Sequence, residues 1–342
     1  MHWNPPGDWR RIQTIDAHAA GEPFRTVVAG FPELEGETML ARRRDARERF
    51  DDLRRSLMWE PRGHADMYGG IVTEPTSLRS DLGVLFIHNE GFSTMCGHGI
   101  IALVTVALEA GLVERPRPLV EPELRIDTPA GLVIARAHLR RERVRSVAFH
   151  NVPSFAAALD QTVAVPGLGE VRYDLAFGGA FYAYVDAAAM GLTLTAEDFR
   201  PIIDKGVAIQ RAIAESREIS HPYEADLGFL YGVIFVGPPQ SEGVHSRNVC
   251  VFADGEVDRS PTGTGVSGRL AIHRARGEID FDQPITIESI LGTRFTGRAV
   301  EPTAFGPYPA VIPEIEGSAH ITGRHEFLID PSDELRCGFL LR

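Results

Sequence analysis

Cysteine is scarce in this chain. Three residues, Cys96, Cys250 and Cys337, are odd in number and show no CxxC spacing. That argues against a disulfide framework and suits a reducing cytoplasm. Long apolar runs are lacking too. No stretch approaches the roughly 18 apolar residues of a helical membrane span, and residues 1–16 hold no apolar segment of the kind a secretory signal needs. Positive charge is outweighed: 35 Lys and Arg against 47 Asp and Glu leave a net charge of −12. A nucleic-acid or anionic-membrane surface is therefore not expected, although backbone N–H groups can still hold a small anion. HExxH and paired CxxC spacings are missing, so a metal site built from Cys96, His98 and His64 has no motif behind it. What remains is globular: 44% hydrophobic and 24% charged residues over 342 positions, enough for two domains with their own cores.

Two stretches stand out as copies of one element. Cys96-Gly97-His98-Gly99 runs into an apolar segment, and so does Thr262-Gly263-Thr264-Gly265. At an offset of 166, Gly97, Gly99 and Gly111 fall on Gly263, Gly265 and Gly277, and Ile100, Val104 and Val106 fall on Val266, Leu270 and Ile272. The copies differ at their first residue. A thiol can act as a base near neutral pH and a threonine hydroxyl cannot.

The rest of the chain reads as a duplicated α/β unit rather than a short-period repeat. Residues 43–58 carry Phe50, Leu53 and Leu57 among charges, a spacing that predicts one amphipathic helix. Strands are predicted at 70–73 and 83–88, then a meander at 124–127, 132–138 and 144–149 whose short turns imply antiparallel pairing. The pattern weakens over 152–160, where we place the crossover between domains. The second half predicts a strand at 181–186 and a helix at 196–218, with Thr195 as its cap and Asp198 three residues on. Further strands are predicted at 228–235, 249–252, 285–289 and 294–298. The expected domains are 1–156, with 320–342 returning a strand to it, and 157–319.

Residues 100–108 are apolar on nearly every side and predict a buried helix, which Gly111 ends. Unpaired N–H groups and the positive end of the dipole make such a helix start an anion site, and glycines let a ligand approach it. If the halves face each other, both helix starts can clamp one carboxylate. The same field is expected to lower the pKa of Cys96. Asp258, four residues before Thr262, is a candidate partner for a substrate ammonium. Cys250 and Cys337 read as packing residues.

Met95-Cys96-Gly97-His98-Gly99 and Asp258-Arg259-Ser260-Pro261-Thr262-Gly263-Thr264-Gly265 resemble the two signature motifs of the proline racemase family. Glu60-Pro61-Arg62-Gly63-His64, Asp66-Met67-Tyr68-Gly69, Asp16-Ala17-His18, Gly21-Glu22-Pro23, Ile321-Thr322-Gly323 and Gly338-Phe339 fit as well. The resemblance covers nearly the whole chain. It implies a diaminopimelate epimerase-like α/β (α+β) fold of two pseudo-symmetric domains, each a curled mixed sheet around a central helix, with the site in the cleft between them. It implies no metal or organic cofactor. Cys96 would be the carbon-acid base, the N–H groups of Gly97, His98, Gly263 and Thr264 would bind the carboxylate, and Asp258 with His98 would hold the ring nitrogen. Racemases of the family carry a second thiol where this chain has Thr262. The Cys/Thr pair instead resembles the family's trans-3-hydroxy-L-proline dehydratases, hydro-lyases that form Δ1-pyrroline-2-carboxylate. Proline racemisation or 4-hydroxyproline epimerisation is the alternative isomerase reading, and non-catalytic binding of a cyclic amino acid a third. The expected partner is a small cyclic amino acid, with no nucleic acid or membrane, and the expected state is a cytoplasmic homodimer.

Overall fold

The computed structural model describes residues 3–114 and 121–341. Its first half runs β1 (Arg10–Ala19), β2 (Glu22–Ala29), α1 (Met39–Arg49), α2 (Asp51–Met58), β3 (Tyr68–Thr73), β4 (Leu82–His88), α3 (Gly97–Glu109), β5 (Glu123–Thr128), β6 (Gly131–Arg140) and β7 (Arg143–His150). The second runs β8 (Phe155–Val165), β9 (Gly169–Phe177), β10 (Phe181–Asp186), α4 (Phe199–Ser216), β11 (Leu230–Gly237), β12 (Ser246–Phe252), β13 (Glu256–Val257), α5 (Gly263–Arg276), β14 (Ile285–Glu288), β15 (Arg294–Phe305), β16 (Tyr308–Gly317) and β17 (Ala319–Ile329).

The pairings repeat. In the first half β2 runs parallel to β3, β3 antiparallel to β4, β4 parallel to β5, and β5, β6 and β7 follow as a meander. In the second, β10, β11, β12, β14, β15 and β16 stand in the same relation. Both parallel steps need a helical crossover. The first is α1–α2 in one half and α4 in the other; the second is α3 or α5. The outer position is filled differently. β8 pairs with β9 beside β10, whereas β1 takes its outer partner from β17, near the far end of the chain. β7 and β16 pair antiparallel and join the halves.

Each half wraps its central helix. Residues 97–108 of α3 are all buried. Ile100, Ile101, Leu103, Val104, Val106 and Leu108 are at most 1% exposed, and each such burial contributes about 1.5–3 kcal/mol. Burial of that size, rather than the propensity of a β-branched run, holds the segment helical. Gly111 (φ +73°) and Gly277 (φ +69°) take the left-handed conformation that ends α3 and α5.

Two local expectations change. Residues 43–58 do not form one helix. Phe50 (φ −136°) interrupts it, and Asp51 and Asp52 start α2 with acidic residues suited to a helix N-terminus. Thr195 does not cap α4: residues 196–198 form a 3-10 turn, and Asp198 accepts from the N–H and hydroxyl of Thr193 instead. The weak pattern over 152–160 covers the start of β8, where two register shifts break the period-2 alternation of a strand.

Candidate active site

α3 and α5 meet start to start. A Cβ on Gly97 would lie 2.6 Å from Gly263 Cα, and one on Gly263 would lie 2.8 Å from Gly97 Cα. Only glycine allows so close an approach of two backbones. Beside this contact, Cys96, Gly97, His98, Asp258, Thr262, Gly263 and Thr264 line one cavity of about 20 Å³. All seven residues singled out in the sequence are thus brought together. A volume of that size holds about one water. A larger depression of about 340 Å³ over β6, β7, β15 and β16 has neither a thiol nor a helix start. Its Glu314 is held down to about 2, chiefly by a hydrogen bond from His150 and then by Arg298.

Cys96 is the N-cap of α3, and its sulfur accepts from Gly99 N–H at 3.3 Å. His98 Nδ1 stands 3.2 Å from the sulfur. The expected lowering of the Cys96 pKa is reversed. Burial pushes the thiol well above its ordinary value, Asp258 adds to the rise, and the Gly99 N–H only opposes it. Desolvation of the charged form outweighs the field of the helix start. Burial also lowers the pKa of His98, which donates to the Pro23 carbonyl. A neutral imidazole that donates through one nitrogen presents the other as an acceptor, here toward the thiol.

Thr262 holds the matching position on α5, with an unusual left-handed backbone (φ +64°) and no side-chain capping bond. Its hydroxyl is buried without a conventional hydrogen bond and faces the weakly bonding sulfur of Cys250. The loop before it is held by its own side chains: Asp258 Oδ1 accepts from Ser260 N–H at 2.7 Å, and Ser260 Oγ from Thr262 N–H at 3.1 Å. Thr264 Oγ1 is 2.7 Å from the Tyr182 hydroxyl. Glu22 reaches across from β2 to accept the Arg259 N–H at 2.7 Å. Burial, and then Asp258, push its carboxyl well above the usual range.

Sequence reasoning missed the cavity walls. Tyr68, Tyr182, Tyr231 and Phe252 come from four separate strands, and only Tyr68 lay in a recognised motif. Cys250, read as packing, also lines the cavity; alternation along β12 cannot say whether a buried face meets core or cleft. His64 lies outside it, with Nδ1 2.8 Å from the Ala65 carbonyl. Among the described residues, no three His, Cys, Asp or Glu side chains are grouped to hold a metal ion.

Two halves of one continuous sheet, each around a buried helix, with the helix starts abutting at a thiol, define a two-domain α/β enzyme of the epimerase-like class. A family profile described as proline racemase matches residues 14–340, and the chain belongs to that family. Among its relatives, a trans-3-hydroxy-L-proline dehydratase of Colwellia psychrerythraea is 49% identical, covering 97% of this chain and 93% of its own. One of Burkholderia cenocepacia is 45% identical, covering 97% and 99%. The crystal structure of a hydroxyproline epimerase from Agrobacterium vitis, with bound trans-4-hydroxy-L-proline, superposes with a TM-score of 0.93 at 31% identity, covering 98% of this chain and 96% of that one. A PhzF-family protein of Bacillus anthracis shares the fold alone, with a TM-score of 0.57 at 13% identity over 93% of this chain and 99% of its own.

Proposed function

We propose that this chain is a cofactor-independent hydro-lyase converting trans-3-hydroxy-L-proline to Δ1-pyrroline-2-carboxylate. The observation that carries the reading is the unequal pair at the two helix starts, Cys96 on α3 and Thr262 on α5. The N–H groups of Gly97, His98, Gly263 and Thr264 head their helices, where no intrahelical carbonyl serves them, and they bind the substrate carboxylate. Asp258, with His98, takes the ring ammonium. That pairing offsets one of the influences holding the Cys96 pKa up, so bound substrate favours the thiolate. Cys96 removes the α-proton, the clamped carboxylate stabilises the developing negative charge, and loss of the 3-hydroxyl leaves an enamine that tautomerises to the product. Inversion would need a second acid/base opposite Cys96, and Thr262 has no group that titrates in the working range. The expected homodimeric, cytoplasmic state belongs to the same proposal; light scattering at twice the 37.5 kDa chain mass supports the dimer, and a monomer mass rejects it.

Purified protein given separate hydroxyproline isomers and L-proline tests the reaction. Pyrroline-2-carboxylate should appear from the trans-3-hydroxy-L isomer, without optical inversion of L-proline. Efficient racemisation by the wild type would instead favour the isomerase reading. Thr262→Cys should gain at least a trace of racemase or epimerase activity, within the limits that sub-ångström placement sets on proton transfer.

Asp258→Asn should lower kcat/KM by roughly 30- to 5000-fold, the equivalent of the 2–5 kcal/mol typical of breaking a buried charged hydrogen bond. Because Asp258 raises the Cys96 pKa, the residual activity of the free enzyme should also reach its plateau at lower pH than in the wild type. A lower melting temperature with catalysis and its pH profile intact would reduce Asp258 to a loop-forming residue.

A further inference from the structure

In trans-3-hydroxy-L-proline the hydroxyl lies opposite the carboxylate, so it projects from the same ring face as the α-hydrogen. The base that takes the α-hydrogen therefore stands on the face from which the hydroxyl departs. A group that protonates this hydroxyl must belong to the Cys96 side of the cavity, not to the Thr262 side.

Tyr68 fits that requirement. It lies on β3, in the same half as Cys96, and both line the cavity. Its ring meets His98 edge-on with centroids 4.9 Å apart and stacks on His88 at 5.5 Å, which fixes the ring plane. Its hydroxyl bonds to Ser93 Oγ, lies 3.2 Å from the Tyr231 hydroxyl, and reaches the Cys96 thiol, whose charged form it stabilises. Tyr182, a cavity hydroxyl on β10 of the second half, is instead engaged with Thr264 at 2.7 Å.

We infer that Tyr68 is a catalytic residue that donates the proton with which the 3-hydroxyl leaves, and that Cys96 returns to Tyr68 the proton it took from the α-carbon. This rests on the dehydratase reading. The Cα–H bond breaks as S–H forms on Cys96. The electron pair left on Cα becomes the second bond between C2 and C3 as C3–O breaks. The departing oxygen takes the Tyr68 proton and leaves as water. The resulting phenolate, beside the newly formed S–H, recovers a proton from it, so thiolate and phenol are both restored. Substrate becomes enamine plus water, with no further acid and no net change in the enzyme. Ser93 and Tyr231 hold the phenol oxygen in place while it is charged.

Two rates measured on one preparation test this: release of pyrroline-2-carboxylate from trans-3-hydroxy-L-proline, and exchange of the α-hydrogen of L-proline with solvent deuterium. In Tyr68→Phe, elimination should fall at least about 100-fold, as for loss of a general acid, while exchange falls less than about 10-fold. Equal loss of both rates would make Tyr68 a support for Cys96 alone and overturn the inference. Elimination at the wild-type rate in Tyr68→Phe would overturn it as well. If Tyr68→Phe fails to fold by circular dichroism, Ser93→Ala serves, since it retains the phenol and removes one of its partners. Elimination should then slow more than exchange, and equal slowing overturns the inference. A wild type that exchanges but never eliminates rejects the dehydratase reading and this step with it. A wild type that eliminates, with Tyr68→Phe equal to it, rejects this step alone.

Discussion

Cys96→Ser is expected to fold normally and to lose on the order of 10² to 10⁴ in kcat, the range a positioned acid/base supplies. Serine can accept from Gly99 N–H much as the Cys96 sulfur does, so the α3 cap survives and the loss reports on chemistry. The pH profile gives a second readout. Burial and Asp258 raise the thiol pKa, and the base works only when deprotonated, so wild-type kcat/KM should climb with pH through the alkaline range. That limb should vanish in Cys96→Ser. Alkylation should inactivate the wild type, and a saturating carboxylate analogue should slow it. Near-full activity in Cys96→Ser, or the same alkaline limb in both proteins, would remove Cys96 from the role of base.

Gly97→Ala should be almost as damaging, although it touches no titrating group. The added methyl would stand 2.6 Å from Gly263 Cα and 2.9 Å from its carbonyl carbon. Those are backbone atoms, so no rotamer change relieves the clash and the two helix starts must separate. Overpacking of this kind costs about 1–3 kcal/mol, and a shift near 1 Å between base and substrate can cost about 10²-fold in rate. A loss of about 10²-fold is expected, with the melting temperature down by no more than a few degrees, because slight parting of the halves relieves the strain. Gly263→Ala should match it, and the double variant should add little, since both methyls contest one gap. Wild-type turnover in Gly97→Ala would mean that the halves need not close to this contact.

The parts of the site that could be read in the sequence are those carried by local chain geometry. A polar cap, two glycines and an apolar helix declare a ligand-facing helix start, and their repetition at Cys96 and Thr262 declares two. β10, predicted at 181–186, lies at those residues. What could not be read depends on how strands pair. Tyr68, Tyr231 and Phe252 sit on β3, β11 and β12, and only parallel and antiparallel pairing within and between the halves sets their rings around one space. Alternation in β12 marks Cys250 as buried without saying what it faces. The direction of the Cys96 pKa shift failed for a related reason. The sequence displays the helix start that favours a thiolate, but the walls that bury it come from strands distant in the chain. Phe50, apolar and well spaced, looked like the interior of a helix and is the point at which one helix ends and the next begins.

The strand exchange at the outer edges bears on how the chain reaches this structure. β8 and β9 form a hairpin whose partners are neighbours in the chain, so the second half can assemble its edge locally. β1 must wait for β17, whose pairing joins Arg10 to Ile329. During synthesis the first half emerges early, yet its sheet keeps an open edge until residues 319–329 have left the ribosome. An unpaired strand edge invites association with other chains, and long-range pairing folds slowly. The order of synthesis is therefore not the order of completion: the half that holds Cys96 is the first made and the last finished.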